Sequence, residues 1–128
     1  MYNLSIIIPV YNEINYLRLF TERLEKSFEN ENVEYIYVND GSTDGSSEWI
    51  EKYISSKNKY QFKFINIKKN QGKGKAIQEG LKISKGDYIL FQDSDLELNP
   101  QDSFEIYEIA KKNDQINCIF GSRFISGK

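Results

Sequence analysis

Histidine is absent from this chain of 128 residues. Its absence excludes serine–histidine–aspartate and cysteine–histidine catalytic systems, and it excludes zinc sites built from histidine. The single cysteine, Cys118, cannot form an internal disulfide, and its place in the apolar run 116–120 predicts a buried structural thiol. Any chemistry must therefore use carboxylates, lysine, arginine, hydroxyl groups or a bound cation.

Long apolar runs and an excess of one charge are also missing. No stretch approaches the roughly 18 apolar residues that cross a bilayer, and the first residues lack the basic start and apolar segment of a signal peptide. The formal net charge of −2 gives no basic excess of the kind that nucleic-acid binding requires. We therefore expect a cytoplasmic protein that does not bind nucleic acid.

What is present is a regular alternation of two apolar patterns. Hydrophobic residues make up 39% of the chain, which is enough for a folded core, and the length fits a single domain spanning residues 1–128. Apolar runs of strand type, at 4–10, 33–38, 62–67, 88–91 and 116–120, alternate with segments of helical periodicity. The order β-α-β-α-β-α-β-α-β predicts an α/β fold with a mostly parallel sheet and helices on both faces.

Capping residues mark several helix ends. Asp44 or Ser46 is expected to cap the second helix, and Asn99 followed by Pro100 is typical of an N-cap with proline at the first helical position. Gly86 follows the third helical segment and suits the position just past a helix end.

Polar clusters follow the predicted strands at their carboxyl ends. Because ligands of open α/β sheets bind beyond these ends, we expect the clusters to share one site. The clusters are Tyr11-Asn12-Glu13, the loop 40–45, the loop 70–74, the segment 93–97 and Arg123.

Three carboxylates, those of Asp93, Asp95 and Glu97, stand directly after a short apolar strand. Alternate side chains of such a loop can converge on one cation, and hard oxygen ligands favour Mg²⁺ or Mn²⁺. A D-x-D pair is a weak motif by itself, and a solvated acidic turn is the alternative. An EF-hand loop is excluded because Leu98 stands where that loop requires glycine.

The remaining clusters are compatible with two interpretations each. The Asp40 carboxylate can accept a hydrogen bond from a nucleobase or a ribose, or it can serve a turn. Lys73, between two glycines, suits a diphosphate near a helix N-terminus or is an exposed loop lysine, and its spacing fits neither a Walker A loop nor a dinucleotide fingerprint. Arg123 suits bidentate phosphate contact or is a surface arginine.

The segments SIIIPVYNE, VNDGSTDGS, NQGKGKAIQEG, FQDSDLELNP and IFGSRF resemble, in order and spacing, the inverting glycosyltransferases of family 2, which have the GT-A fold. The last three are most similar to the branch of dolichyl-phosphate mannosyltransferases and polyprenyl-phosphate glycosyltransferases. The resemblance covers Ser5 to Phe124. It implies transfer of a sugar from a UDP- or GDP-sugar to a polyprenyl phosphate with the help of Mg²⁺ or Mn²⁺.

The resemblance also assigns roles to residues of the matching motifs. Asp93 and Asp95 are implied to act in catalysis, and with Glu97 they are implied to hold the cation and the donor diphosphate. The residues implied to bind the donor are Pro9, Tyr11, Glu13, Asp40, Gly72, Lys73 and Arg123. Among them, Asp40 is implied to contact the base and Arg123 a phosphate.

Some positions depart from the family's pattern. Asn39 stands where members often have a first aspartate, Ser94 replaces a common alanine and is expected to matter little, and Glu97 replaces a common glutamine. Members also continue well past the position of Lys128 with residues for the acceptor and for membrane attachment. We therefore expect a nucleotide-sugar-binding part that is truncated before the acceptor-binding part, with the longer form at the cytoplasmic face of the membrane. A sheet edge left exposed would favour a homodimer.

Two other functions remain open at this level. In a HAD-type phosphotransferase, Asp93 would be the nucleophile and Asp95 the acid/base, although Glu97 sits where that motif has a hydroxyl residue. A non-catalytic nucleotide-binding or interaction module would keep the fold and the donor site without transferring a sugar.

Overall fold

The computed structural model describes residues 2–58 and 60–113, and it describes the backbone of residues 118–121. The strands are β1 (Leu4–Val10), β2 (Val33–Asp40), β3 (Phe62–Ile67), β4 (Tyr88–Gln92) and β5 (Cys118–Gly121). The helices are α1 (Ile14–Ser27), α2 (Ser46–Ser55), α3 (Lys73–Ile83) and α4 (Pro100–Lys111). The predicted alternation is therefore confirmed. In the part of the chain that is described, no helix has both the length and the apolar character needed to span a membrane.

The five strands form one parallel sheet in the order β3-β2-β1-β4-β5. The chain places β2 and β3 on one side of β1 and then returns to place β4 and β5 on the other side. The strand order thus reverses beside β1. In open α/β sheets, ligands bind in the crevice outside the carboxyl ends of the strands at such a reversal.

Helices cover both faces of the sheet, as predicted. On β1, Ile6 and Ile8 point to one face, where they join the core residues of α1, α2 and α4. Ile7 points to the opposite face and packs with Ile36 and with Ala76 of α3. β1 is buried on both faces, and this explains why its sequence is a continuous apolar run rather than an alternating one.

Several element boundaries differ from the predictions, and two of these differences concern polar residues at the carboxyl edge of the sheet. β2 extends two residues further, because Asn39 and Asp40 pair with Asn66 and Ile67 of β3. α3 begins at Lys73, so this lysine lies in the first turn of a helix rather than in a loop. Both differences move polar residues from irregular segments onto regular elements, which positions their side chains more firmly.

The predicted role of Gly86 at a helix end is wrong. α3 ends at Ile83 with Ser84 in an extended conformation, and Gly86 does not have a left-handed backbone. A Cβ atom at Gly86 would lie only 2.5 Å from the backbone nitrogen of Ser5 and 2.6 Å from the carbonyl carbon of Leu4. Glycine is required there because the chain passes directly against β1.

The predicted cap of α2 is also wrong, whereas that of α4 is confirmed. Gly45 holds the N-cap position of α2 with φ of +96°, and neither Asp44 nor Ser46 occupies it. Asn99 caps α4, and its side-chain oxygen accepts a hydrogen bond from the Gln101 amide at 3.0 Å.

Candidate active site

A cavity of about 370 Å³ lies at the carboxyl ends of β1, β2 and β4. Nine of the ten predicted site residues line it, and Val10, Asn70 and Ser94 complete the lining. The nine are Pro9, Tyr11, Glu13, Asp40, Gly72, Lys73, Asp93, Asp95 and Glu97. The tenth, Arg123, lies outside the described residues, as does the side chain of Cys118. The structure thus brings four of the five polar clusters together at one cavity.

The loops that follow β1 and β2 are joined by reciprocal hydrogen bonds. The Asn12 amide donates to Ser42 Oγ at 2.9 Å, and the Thr43 amide donates to Asn12 Oδ1 at 2.7 Å. Asn12 has φ of +53°, in the left-handed region that asparagine tolerates better than most residues. These contacts set the position of Tyr11, whose side chain is half exposed beside the cavity.

Asp44 and Ser46 join the starts of α1 and α2. The Glu13 amide donates to Ser46 Oγ at 3.0 Å, and the Ile14 amide donates to Asp44 Oδ2 at 3.1 Å. The Ser46 hydroxyl and amide both donate to Asp44 Oδ1, at 2.7 and 2.9 Å. Burial alone would raise the pKa of Asp44, but the hydrogen bonds from Ser46 and Ile14 outweigh it and lower the pKa. The ionised carboxylate therefore holds both helix starts in place.

Asp40 anchors the loop that precedes α3. Its carboxylate accepts the Gln71 amide at 2.8 Å, the Gly72 amide at 2.9 Å and the Asn70 side-chain amide at 3.1 Å. Because a carboxylate has about four acceptor positions, the loop takes most of them. The base contact implied for Asp40 stays a prediction, and it has to use the acceptor position that the loop leaves.

Gly41 permits this loop to approach. A Cβ atom at Gly41 would lie 2.2 Å from the Asn70 nitrogen, and its φ of +71° is also unfavourable for other residues. Asp40 and Gly41 therefore have a structural role in holding the loop before α3. A local turn motif does not predict this role, because the partners lie some thirty residues further along the chain.

Gln92 fixes the two ends of the acidic loop and was missed by the sequence analysis. This buried side chain donates from Nε2 to the carbonyl oxygens of Asp93 and Leu98, both at 3.4 Å. Its Oε1 accepts the Ser103 hydroxyl of α4 at 2.5 Å. The available signal was a glutamine at the end of an otherwise apolar strand, which has to find partners when it is buried.

Within the acidic loop, Leu96 adopts φ of +65°. A bulky residue rarely occupies this left-handed region, so surrounding contacts have to hold it there. The Glu97 amide donates to Asp95 Oδ1 at 3.0 Å across the same turn, and the Leu96 side chain packs against the core. These two contacts stabilise the turn, and Asp95 therefore has a structural role within it.

Negative charge dominates the cavity. The pKa of Glu13 is raised, first by burial and then by the charges of Asp95, Asp93, Asp44 and Glu97. Lys73 reaches across from α3 and forms an ion pair with Asp93. A cavity with this excess of carboxylates attracts cations.

The donor set suits Mg²⁺ or Mn²⁺, which prefer oxygen ligands. Among the described residues, however, no three acidic or cysteine side chains are gathered closely enough to hold a metal ion by themselves. Mg²⁺ is commonly bound through one or two carboxylates, with substrate phosphates and water supplying the other ligands. The arrangement fits that mode, and the ligand roles of Asp93, Asp95 and Glu97 stay predictions.

Curated relatives match nearly the whole chain. It is 30% identical to a poly-beta-1,6-N-acetyl-D-glucosamine synthase of Staphylococcus epidermidis over 98% of its length, and 32% identical to a dolichol-phosphate mannosyltransferase of Pyrococcus furiosus over 96%. The chain spans 29% and 34% of the lengths of these two proteins, about a third in each case.

A solved structure shares the fold. S. aureus TarS (residues 1–349), solved in complex with UDP-GlcNAc, superimposes with a TM-score of 0.60 and 34% identity, covering 73% of this chain and 26% of that TarS chain. The sequence profile described as "Glycosyl transferase family 2" matches residues 5–128. With a parallel sheet of the GT-A type and the family's motifs lining one cavity, the chain belongs to glycosyl transferase family 2.

Proposed function

We propose that this chain is the donor-binding part of an inverting glycosyltransferase that moves a sugar from a UDP- or GDP-sugar to a polyprenyl phosphate. The observation that carries the proposal is the single cavity that nine predicted site residues line. Its volume of about 370 Å³ falls in the range of small-molecule sites. The 32% identity to a dolichol-phosphate mannosyltransferase supports the lipid acceptor.

Each wall of the cavity suits one portion of the donor. Tyr11 and Pro9 offer partly exposed apolar surface against which a base can stack. Lys73 and the first turn of α3 offer positive charge to a diphosphate. Asp93 and Asp95 face the same space and would hold the Mg²⁺ or Mn²⁺ ion. When bound, that ion would offset the negative charge that develops on the leaving diphosphate.

The reaction exchanges one bond at the anomeric carbon. The bond to the diphosphate oxygen breaks on one side of the sugar while a bond to an acceptor phosphate oxygen forms on the other, so the configuration inverts. A phosphate acceptor is already anionic at neutral pH, so the site needs no strong general base. A chain without histidine is compatible with this chemistry.

A non-catalytic donor-binding module is the second candidate. The same cavity supports it, because binding of a donor does not by itself require an acceptor site. The homodimer expected from the sequence would form through an exposed edge of the sheet, and light scattering tests it through the mass in solution. We also propose that a protein with the full length of the curated relatives would lie at the cytoplasmic face of a membrane.

Calorimetric titration with UDP-glucose and GDP-mannose, with and without Mn²⁺, tests the donor site. We expect one donor to bind in a cation-dependent manner, and we expect Asp95→Asn to lose the cation-dependent part while remaining folded. Binding that is equal with and without Mn²⁺, or unchanged in the variant, would reject the metal assignment. Absence of binding by a folded protein would reject the donor site itself. Donor binding without transfer to a polyprenyl phosphate, in a protein extended to the length of the curated relatives, would favour the non-catalytic module.

A further inference from the structure

We propose that Lys73 is the resident counter-ion of Asp93, and that it moves from Asp93 to the diphosphate when a cation and a nucleotide enter the cavity. The inference rests on the proposed function and deepens it. It gives Lys73 two successive partners, whereas the motif alone implies a single donor-binding role. It also predicts that Lys73 opposes the binding of a cation and favours the binding of a nucleotide.

The geometry places the ammonium group where a cation would bind. Nζ of Lys73 pairs with Oδ1 of Asp93, and both residues line the cavity. Lys73 belongs to the first turn of α3 and Asp93 follows β4, so the ion pair bridges the start of a helix and the end of a strand. The Asp93 carboxylate is the one nearest the end of β4 and is only 31% exposed.

Helix stability does not explain a lysine at this position. Positive charge is unfavourable at the N-terminus of a helix, and the first turn of α3 contains no acidic residue to offset it. Lys75, in the same turn, has a partner within the helix, because it pairs with Glu79 four residues later at 3.2 Å. Lys73 instead finds its partner on the neighbouring loop. Its charge therefore serves the cavity rather than the helix.

A cation and the lysine compete for the same carboxylate. An Mg²⁺ or Mn²⁺ ion on Asp93 would lie within a few ångströms of the ammonium group, and like charges at that separation repel. The lysine is free to move, since its side chain is 55% exposed and its four-carbon stem is flexible. An incoming diphosphate supplies a new anionic partner within the same cavity. When Lys73 leaves Asp93 and pairs with the diphosphate, it exchanges one ion pair for another.

The test compares Lys73→Met with Lys75→Met, which removes a lysine from the same turn but not from the cavity lining. Binding of Mn²⁺ alone is measured by electron paramagnetic resonance. Because exposed ion pairs are weak, we expect Lys73→Met to bind Mn²⁺ about two- to fivefold more tightly than the wild type. Binding of UDP and GDP in the presence of Mn²⁺ is then measured by calorimetry, and we expect a loss of about tenfold for the nucleotide that the wild type binds. Lys73→Arg keeps the charge and should keep both affinities close to those of the wild type.

Opposite changes in the two affinities, confined to Lys73→Met, support the proposal. Equal Mn²⁺ affinity in the wild type and both methionine variants overturns it, even if nucleotides still bind. Tighter Mn²⁺ binding by Lys73→Met in a protein that binds neither nucleotide would reject the proposed function and retain the competition at Asp93. If no variant binds Mn²⁺ in the absence of a nucleotide, the competition at Asp93 is overturned, whereas the proposed function is judged by the nucleotide titration in the presence of Mn²⁺.

Discussion

The carboxylate of Asp40 and the backbone amide of Gly72 meet at 2.9 Å, which ties the end of β2 to the residue before α3. Asp40 is 3% exposed, and its other oxygen accepts the Gln71 amide. Asp40 therefore has a structural role in the wall of the cavity, whatever ligand contact it also makes. Its substitution should disturb the fold locally before it disturbs any contact with a ligand.

Asp40→Asn should lower the free energy of unfolding by about 1–3 kcal/mol, because its NH₂ group would face a backbone amide that needs an acceptor. Urea denaturation measures the change. Gln71→Ala is the control, since the exposed Gln71 side chain can be removed while its backbone amide still bonds to Asp40. Equal stability of Asp40→Asn and the wild type would mean that these hydrogen bonds do not hold the loop.

Gln92→Met should loosen the acidic loop. The change keeps an unbranched side chain but removes the contacts to the carbonyl oxygens of Asp93 and Leu98 and leaves the Ser103 hydroxyl without its acceptor. We expect a loss of about 1–3 kcal/mol in stability, together with weaker donor binding in the presence of Mn²⁺. Gln101→Met, on the exposed side of α4, should change neither quantity. A stable Gln92→Met that binds the donor normally would contradict the positioning role.

Two buried serines should respond in opposite directions to alanine. The Ser94 hydroxyl is buried without a hydrogen-bond partner among the described residues, whereas the Ser103 hydroxyl donates to Gln92. Ser94→Ala should leave stability unchanged or raise it by up to about 1 kcal/mol, because an unsatisfied buried polar group is removed. Ser103→Ala should destabilise the protein by about 1 kcal/mol. Thermal and urea unfolding of both variants measure these changes. A clear loss of stability in Ser94→Ala would show that the Ser94 hydroxyl has a hydrogen-bond partner.

Glu34 should account for part of the loss of folding stability at low pH. This fully buried carboxylate receives hydrogen bonds from Ser5, from Lys63 and from the Lys85 amide. Burial would raise its pKa, but these contacts outweigh burial and lower the pKa below the ordinary value of 4.5. A lowered pKa in the folded state means that stability is fully present above pH 4.5 and is lost as the pH falls through the folded-state pKa.

Glu34→Gln should therefore be less stable than the wild type near pH 7, and its stability should fall less steeply below pH 4.5. Chemical denaturation at a series of pH values measures both effects. Glu22→Gln breaks only an exposed ion pair with Arg18. Its stability should therefore fall below pH 4.5 as steeply as that of the wild type. If the stability of Glu34→Gln falls below pH 4.5 as steeply as that of the wild type, groups other than Glu34 cause the loss of stability in acid.

The elements and the convergence of the polar clusters on one cavity were predictable because both follow from local patterns. Apolar residues of β1 and the helical spacing in α1 reflect burial against the same core, and polar residues after each strand mark the carboxyl edge of a parallel sheet. The strand order was not predictable from alternation, and the order decides that Lys73 meets Asp93. Gly86 shows the same limit, since its requirement comes from Ser5, far away in the sequence, and not from the helix it follows.

The joined loops after β1 and β2 have a consequence for amide hydrogen exchange. The amides of Asn12, Glu13 and Ile14 precede or begin a helix and would be expected to exchange quickly, yet each donates to a side chain of the loop after β2 or of the first residue of α2. They can exchange only when the two loops separate. These amides should consequently show one common free energy of opening, as a small cooperative unit whose opening reports on the side of the cavity that Tyr11 and Glu13 line.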